Sequence, residues 1–236
     1  NAEQQRASRE LLAKMNAEHL ARHPREGELP ARIAAYELAA RMQLKATEAL
    51  DIEQETQQTL DAYGVGNKTT DSYARRCLMA RRLVERGVRV VQCYHGDVQP
   101  WDSHEGLADA HAKLGREADG PIAALLTDLA QRGLLDETLV IWGGEFGRTP
   151  MSQGDKPELL GRDHHIKGFS MWMAGGGIKG GVGYGETDEL GYHAEKNIVH
   201  VRDLHATMLH QLGIDHERFS VKHQGLDMRL SGVEKA

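Results

Sequence analysis

The stretch 138-TLVIWGGEFGRTP-150 places an acid and a base directly after a run that favours a buried strand. Residues 138–142 are mostly β-branched or aromatic, a composition typical of strands. Two glycines follow, and because glycine lets other groups approach the backbone closely, they leave the Glu145 carboxylate unscreened. Glu145 therefore has two interpretations: an exposed ion pair with Arg148, or a metal ligand at the end of a core strand.

Two further strands are predicted at 88–94 and 168–174, where the sequence reads VRVVQCY and GFSMWMA. Around them, apolar residues recur at helical spacing in segments that begin near Asp71, Asp119 and Asp203. Alternating helices and strands are typical of an α/β fold. We therefore expect an α/β/α sandwich built on a mostly parallel sheet.

The amino-terminal region differs in composition from the rest of the chain. Residues 1–62 are rich in Ala, Glu, Gln, Arg and Leu, and prolines at positions 24 and 30 interrupt the helical pattern. No pattern typical of catalysis occurs there. We expect residues 1–62 to form a helical flank packed on a main α/β domain that spans residues 63–236.

Bulk composition excludes several classes of partner. A net charge of −6 over 236 residues implies no strongly basic face, so nucleic acid is not an expected partner. No apolar run approaches the length of a membrane span. The two cysteines, Cys77 and Cys93, lack the close spacing of a zinc or redox motif and are expected to be buried free thiols.

Histidine is unusually abundant and often lies beside an acid. The chain has 13 histidines, more than twice the number expected from a usual share of about 2%. Three acid or acid–histidine clusters come after predicted strands, and ligands of α/β sheets bind at the carboxyl ends of strands. Polar surface loops are the alternative for each cluster alone. Together the clusters predict a divalent-metal site with these candidate ligands: Asp102, His104, Glu145, Asp163 and His164.

Two arginines near these clusters favour an anionic substrate. Arg148 and Arg162 each carry a guanidinium fork that matches the oxygens of phosphate, sulfate or carboxylate. A cation beside two arginines suits a tetrahedral oxyanion ester, because the cation offsets the charge that develops during hydrolysis. Arg148 and Arg162 are therefore the candidate catalytic residues.

Several strings in the chain resemble one protein family. VIWGGEFGRTP, GRDHH, FSMWMAGGGIKGG, YGETDELGYHA and VHVRDLHATMLHQLGIDHERF, with WDSHEG upstream, are similar to the domain-of-unknown-function 1501 (DUF1501) family. These are bacterial sulfatase-like proteins grouped by similarity with the alkaline phosphatase superfamily. The resemblance implies an α/β/α sandwich and a periplasmic or secreted hydrolase. Its substrate would be a small-molecule or saccharide ester of sulfate or phosphate, and its metal zinc, calcium, magnesium or manganese.

The resemblance also implies roles for particular residues. Asp102 and His104 match the first Asp…His pair of the superfamily, Glu145 takes the acidic position after the next strand, and the segment with Asp163 and His164 matches the later histidine-bearing segment. The stretch 203-DLHATMLHQLGI-214 is similar to a helix near the end of sulfatases. We interpret it as a packing helix because its hydrophobic residues have helical spacing, and we do not expect His205 and His210 to be ligands.

Two departures from the superfamily pattern bear on activity. Glu145 and Phe146 stand where the superfamily usually has Asp-His, and no strand bearing a nucleophile precedes residue 63. The C-x-P-x-R motif of true sulfatases is also missing. Either the chain lacks the amino-terminal part of a longer protein, which we favour because residues 1–62 resemble the middle of a family member, or the site is degenerate. A hydrolase and a non-catalytic binding or envelope protein are the two resulting alternatives; a third is that these polar residues are merely surface.

Overall fold

The computed structural model describes residues 2–23 and 28–232. Helices make up most of the regular structure in these ranges, and the strands are short. The α-helices are α1 (Ala2–Arg22), α2 (Leu29–Leu50), α3 (Gln57–Tyr63), α4 (Asp71–Glu85), α5 (Leu107–Gln131) and α6 (Val201–Gln211). The strands are β1 (Val140–Trp142), β2 (Gly147–Arg148), β3 (His164–His165), β4 (Trp172–Ala174), β5 (Glu186–Thr187), β6 (Ala194–Lys196), β7 (Ser220–His223) and β8 (Leu226–Arg229).

The chain divides into two compact units, Asn1–Gln54 and Glu55–Ala236. The first contains α1, α2 and a short 3₁₀ turn at Ile52–Gln54. The helix break predicted at Pro24 lies outside the described residues. None of the helices in the described ranges combines the length and the apolar character needed to cross a bilayer.

Helix α4 buries the apolar face that its sequence predicts. Tyr73, Cys77 and Ala80 are all buried, at the four- and three-residue spacing that brings side chains to one side of a helix. This face packs against α3 and α5. Just past the helix, Gly87 has φ of +83°, the left-handed conformation expected of a residue that ends a helix.

A buried ion cluster joins α3, α4 and α5. The Arg81 side chain is 1% exposed, and its Nη1 donates to Glu85 Oε2 at 2.8 Å. Its Nη2 lies 2.7 Å from Glu55 Oε2 and its Nε 2.9 Å from Asp128 Oδ2, as ion-pair contacts rather than aligned hydrogen bonds. The Tyr63 hydroxyl donates to the same Asp128 carboxylate at 3.0 Å. A cluster of this kind ties the three helices together by charge as well as by apolar packing.

Helix α5 begins earlier than its sequence predicts. The start expected at Asp119 to Pro121 is wrong, because the helix runs unbroken from Leu107 and contains Pro121. Proline lacks the N–H that would bond to the carbonyl of residue 117, which usually kinks or ends a helix. Here Pro121 lies on the buried side of the helix, and apolar packing of that side outweighs the lost hydrogen bond. The end predicted at Gly133 is confirmed by its φ of +70°.

The predicted α/β/α sandwich with a mostly parallel sheet is wrong. The described strands form four separate two-stranded sheets, β1–β4, β2–β3, β5–β6 and β7–β8, and all four pairs are antiparallel. Parallel neighbours need a crossover, usually helical, between them. The segment from 143 to 171 that joins β1 to β4 is rich in glycine and contains the β2–β3 pair in place of a crossover helix. Val140 consequently pairs with Ala174, and Trp142 with Trp172, in antiparallel register.

The strand predicted at 88–94 is also absent from the described structure. Residues Val91 to Tyr94 alternate between partly buried and exposed, as in a strand, but no strand among residues 2–23 and 28–232 lies beside them to supply ladder hydrogen bonds. The Arg76 side chain of α4 donates to the carbonyls of Tyr94 and Gly96 instead. β-Branched residues therefore extend this segment without placing it in a sheet.

Candidate metal centre

Three side-chain atoms from distant parts of the chain meet at one point. His104 Nε2 and His164 Nε2 each lie 3.0 Å from Asp102 Oδ1, and the two imidazole nitrogens are 3.2 Å apart. Within the described ranges this is the one group of at least three such side chains whose atoms are close enough to hold a metal ion. One carboxylate and two imidazoles can therefore hold a metal ion here.

The spacing of these atoms fits a metal shell. Two ligand atoms each about 2.0–2.1 Å from zinc are about 3.3–3.4 Å apart in a tetrahedral shell and about 2.9 Å apart in an octahedral one. The observed distances of 3.0 to 3.2 Å lie between these values. Two nitrogens with one oxygen is also a donor set found in catalytic metal sites that keep further positions open. His164 and His104 are 45% and 38% exposed, so ions from solvent can reach the group.

Local pairing of the chain brings the ligands together. Antiparallel pairing of β2 with β3 places Arg148 directly opposite His164, so both side chains are on one face. Asp102 and His104 lie in the loop before α5. That loop is joined to the residues before β3 by hydrogen bonds from the Arg162 N–H to the Ser103 carbonyl at 3.1 Å and from the Gly106 N–H to the Leu159 carbonyl at 3.1 Å.

Arg148 places a positive charge beside the three grouped side chains. Its Nη1 donates to Asp102 Oδ1, the oxygen that also faces both imidazoles. Hydrogen bonding to the Arg148 guanidinium is the largest cause that lowers the pKa of Asp102 below its usual range, and hydrogen bonding to His164 is the next. The carboxylate is therefore charged at neutral pH. The guanidinium carbon lies 5.7 Å from the centre of the Phe146 ring, and that ring lies 4.5 Å from the ring of His164. Phe146 thus packs near both the arginine and the imidazole and lines the site with an apolar surface.

Comparison with known proteins identifies the family. The whole chain, residues 1–236, matches the profile described as "Protein of unknown function (DUF1501)". The chain belongs to the DUF1501 family. No curated protein and no solved structure matches it significantly.

The other residues predicted to act at the site of this DUF1501 protein lie around or away from the three-residue group. Asp163 accepts from the His164 N–H at 2.8 Å and lies 3.8 Å from His104 Nδ1, at the edge of the group. Glu145 is exposed in the loop between β1 and β2 and is not one of the three grouped ligands. The Arg162 side chain is exposed, although its backbone holds the Asp102 loop.

One residue that fixes the ligands in this DUF1501 protein has no signal in the sequence. Gln153 Oε1 lies 2.8 Å from His104 Nδ1. Because a carbonyl oxygen only accepts, Nδ1 carries the proton and Nε2 keeps its lone pair towards Asp102 and His164. This is the tautomer that binds a metal. Gln153 is 49 residues from His104 in the chain, so only the folded structure relates the two.

A second residue was missed although its sequence carried a signal. In an extended segment, adjacent side chains point to opposite faces, so His164 and His165 cannot both face the same ion. His165 is 5% exposed, and its Nε2 donates to the Tyr192 carbonyl at 2.6 Å. His165 therefore anchors the strand whose other face presents His164.

Proposed function

We propose that this DUF1501 protein is a metal-dependent hydrolase of sulfate or phosphate esters, including esters of small molecules or saccharides. The observation that carries the proposal is the meeting of Asp102, His104 and His164 around one point, with Arg148 bound to the same carboxylate. The likeness of its motifs to sulfatase-like proteins favours the same class of reaction.

The cationic character of the site suits an anionic ester. A divalent ion held by these three ligands supplies Lewis acidity, which offsets negative charge that develops on the ester oxygens. Arg148 can bind the non-bridging oxygens, since a guanidinium has five N–H donors and a planar fork that matches two oxygens. Phe146 covers one side of His164 and limits water on that side.

A second candidate is a metal-binding protein that does not turn over substrate. Across the described part of the chain, no serine, threonine or cysteine side chain hydrogen-bonds to Asp102, His104 or His164. The Thr149 hydroxyl, which lies next to Arg148, donates to the Met151 carbonyl at 2.9 Å and accepts from the Asp163 N–H at 3.2 Å. Its lone pairs and proton are thus engaged in loop structure, which favours a binding role over nucleophilic catalysis by this residue.

The deciding experiment measures metal content and turnover on the same samples. The chain is stripped with chelator, loaded separately with zinc, calcium, magnesium or manganese, and dialysed before elemental analysis. Each loaded sample is then assayed with p-nitrophenyl phosphate and p-nitrophenyl sulfate. We expect one ion per chain for at least one metal, and ester cleavage that chelator abolishes.

Matched variants separate the two candidates. Asp102→Asn and His104→Ala remove ligands, whereas His205→Ala and His210→Ala remove exposed histidines of α6 outside the group. Loss of metal and of turnover in the first pair alone supports the hydrolase. Metal binding lost in the first pair, with no turnover in the parent chain on either ester, selects the binding protein. A parent chain that retains no metal contradicts both.

A further inference from the structure

The loop that carries two of the three ligands has no regular structure of its own. Asp102 and His104 lie between the extended segment that ends near Tyr94 and the start of α5. Ligand atoms in a metal site have to be held to within about 0.5 Å, and loops hold side chains less precisely than helices or strands do. Asp102 is therefore fixed from outside the loop, by the Arg148 and Arg162 contacts on one side and by the contacts of the preceding residue, Trp101, on the other.

A chain of side-chain contacts connects the residue before Asp102 to α5. The Trp101 Nε1–H donates to His95 Nδ1 at 3.1 Å. Indole nitrogen is a donor only, so His95 Nδ1 must accept, and a neutral His95 carries its proton on Nε2. That atom faces Glu117 Oε2 of α5 at 3.4 Å. The order of donors thus runs from Trp101 to His95 to Glu117.

Packing holds this chain of contacts in place. The His95 side chain is 9% exposed, and its ring lies between those of Tyr73 and Trp101, at centroid distances of 4.4 and 5.5 Å. Burial lowers the pKa of His95 despite the nearby Glu117 carboxylate, which favours the neutral form that the Trp101 hydrogen bond requires. The backbone of Trp101 is fixed as well, because His111 Nε2 of α5 donates to its carbonyl at 3.2 Å.

We propose that His95 and Glu117 are positioning residues for the metal centre. Through the indole of Trp101 they attach the loop that carries Asp102 to α5, and this holds the Asp102 carboxylate in place. None of the three contacts Asp102 Oδ1 directly, so their action passes through the backbone from Trp101 to Asp102. The inference rests on the proposed metal site and adds to it the residues that set its affinity. Residues that orient metal ligands typically change affinity by about 10–100-fold when replaced.

The test compares variants that break the contacts with variants that keep them. In Trp101→Phe an aromatic ring remains but its N–H is lost, and in Glu117→Leu the acceptor for His95 is lost. Glu117→Gln keeps a carbonyl acceptor and is the conservative variant. Lys113→Met is the matched control, because it removes the other charged neighbour of Glu117, at 3.9 Å, without touching His95. Each is made in the 236-residue chain.

Two readouts are measured, the dissociation constant for zinc and the visible absorption of the cobalt(II)-loaded chain. We expect Trp101→Phe and Glu117→Leu to bind zinc at least tenfold more weakly and to shift the cobalt bands, because the carboxylate is no longer held. Glu117→Gln and Lys113→Met should match the parent chain in both. A purely stabilising role would lower the melting temperature of the metal-free variants and leave the cobalt spectrum unchanged.

The outcomes separate this inference from the proposed function. If the parent chain binds zinc and cobalt, and Trp101→Phe binds them with the same affinity and spectrum, the positioning role is wrong and the metal site stands. If the parent chain binds neither ion, both proposals are overturned. Should Glu117→Leu fail to fold, the comparison of Trp101→Phe with the parent chain still tests the positioning role.

Discussion

The Nδ1 atom of His104 and the Oε1 atom of Gln153 lie 2.8 Å apart, and this contact fixes which nitrogen of His104 faces the other ligands. Replacing Gln153 with leucine removes the acceptor and lets the imidazole rotate or change tautomer. We expect Gln153→Leu to bind zinc about 10–100-fold more weakly. Competition with a chromogenic chelator measures the change.

The control for this prediction keeps the hydrogen bond. Gln153→Glu retains an acceptor at the same position and should bind zinc at least as tightly as the parent chain, because an anionic acceptor also favours the Nδ1–H tautomer. Equal affinities in the leucine and glutamate variants would show that Gln153 does not orient His104.

Arg148 has opposite expected effects on cations and anions. Its guanidinium shares Asp102 Oδ1 with the proposed ion, so Arg148→Ala removes a competing positive charge. We expect zinc to bind up to about fivefold more tightly, as the removal of a partly exposed charge is worth about 0.2–1 kcal/mol. Inorganic phosphate should bind about tenfold or more weakly to the zinc-loaded variant, because charged hydrogen bonds are worth about 1.5–3 kcal/mol.

Titration calorimetry with zinc and then with phosphate measures both effects of Arg148. Arg162→Ala is the comparison, since that exposed side chain is not bonded to Asp102. It should leave zinc affinity unchanged. A fall in zinc affinity in Arg148→Ala would mean that the arginine orients the carboxylate instead of competing for it.

The sequence predicts contacts between residues that are close together in the chain better than contacts between residues that are far apart. The spacing of Asp102 and His104 is local, and it correctly marked both as members of one group. His164 lies 62 residues from Asp102, and its approach depends on the pairing of β2 with β3. The sequence placed His164 after a strand by analogy with a parallel sheet. The antiparallel pairing that actually presents it was not foreseen.

The same difference between local and long-range contacts explains which parts of the fold the sequence predicted. The buried face of α4 follows from residues a few positions apart, so its pattern predicted it. The segments of β1 and β4 were predicted as strands, but their relative direction depends on the chain between them. The glycine-rich segment from 143 to 171 shows no apolar helical spacing, and this absence of a helical pattern argues against a parallel crossover. Residues 88–94 have strand-forming composition but pair with no strand in the described part of the chain, and composition alone cannot reveal this.

The buried Arg81 cluster is expected to dominate the stability of the larger unit. Arg81→Met removes the buried cation shared by Glu55, Glu85 and Asp128, and leaves the more exposed Arg132 as their common partner. Removing one partner from a buried ion cluster costs about 3–5 kcal/mol of unfolding free energy. Urea unfolding followed by circular dichroism measures it. Lys196→Met, which breaks an exposed pair with Glu186, should change stability by less than about 1 kcal/mol; similar losses in both variants would contradict the prediction.

The stability of this cluster should depend on pH in the acid range. Burial alone would raise the pKa of Glu55, but its close contacts with the positively charged Arg81 and Arg82 outweigh burial and hold the pKa below its ordinary value. The unfolded chain therefore takes up the Glu55 proton first as pH falls. The stabilisation from Glu55 is complete above its unfolded pKa of about 4.3 and is lost as pH falls through the lower folded pKa.

The pH dependence is measured as a difference between two chains. Glu55→Gln should be less stable than the parent chain at pH 7, and the gap in unfolding free energy should narrow between about pH 5 and pH 3. Glu158→Gln, an exposed acid in a surface turn, provides the control and should show no such narrowing. A gap that stays constant with pH would mean that Glu55 titrates alike in folded and unfolded chains.

Gly161 sets how closely two segments of the site approach each other. A Cβ added there would lie 2.0 Å from the carbonyl carbon of His104 and 2.5 Å from the amide nitrogen of Glu105, and backbone atoms cannot swing aside. Gly161→Ala should therefore push the His104 loop away from His164, weakening zinc binding more than tenfold and destabilising the chain by about 1–3 kcal/mol. Zinc titration and urea unfolding measure the two effects. Gly180→Ala, where an added Cβ meets nothing within 4 Å, should change neither. Unaltered zinc binding in Gly161→Ala would show that this close approach does not hold His104 at the centre.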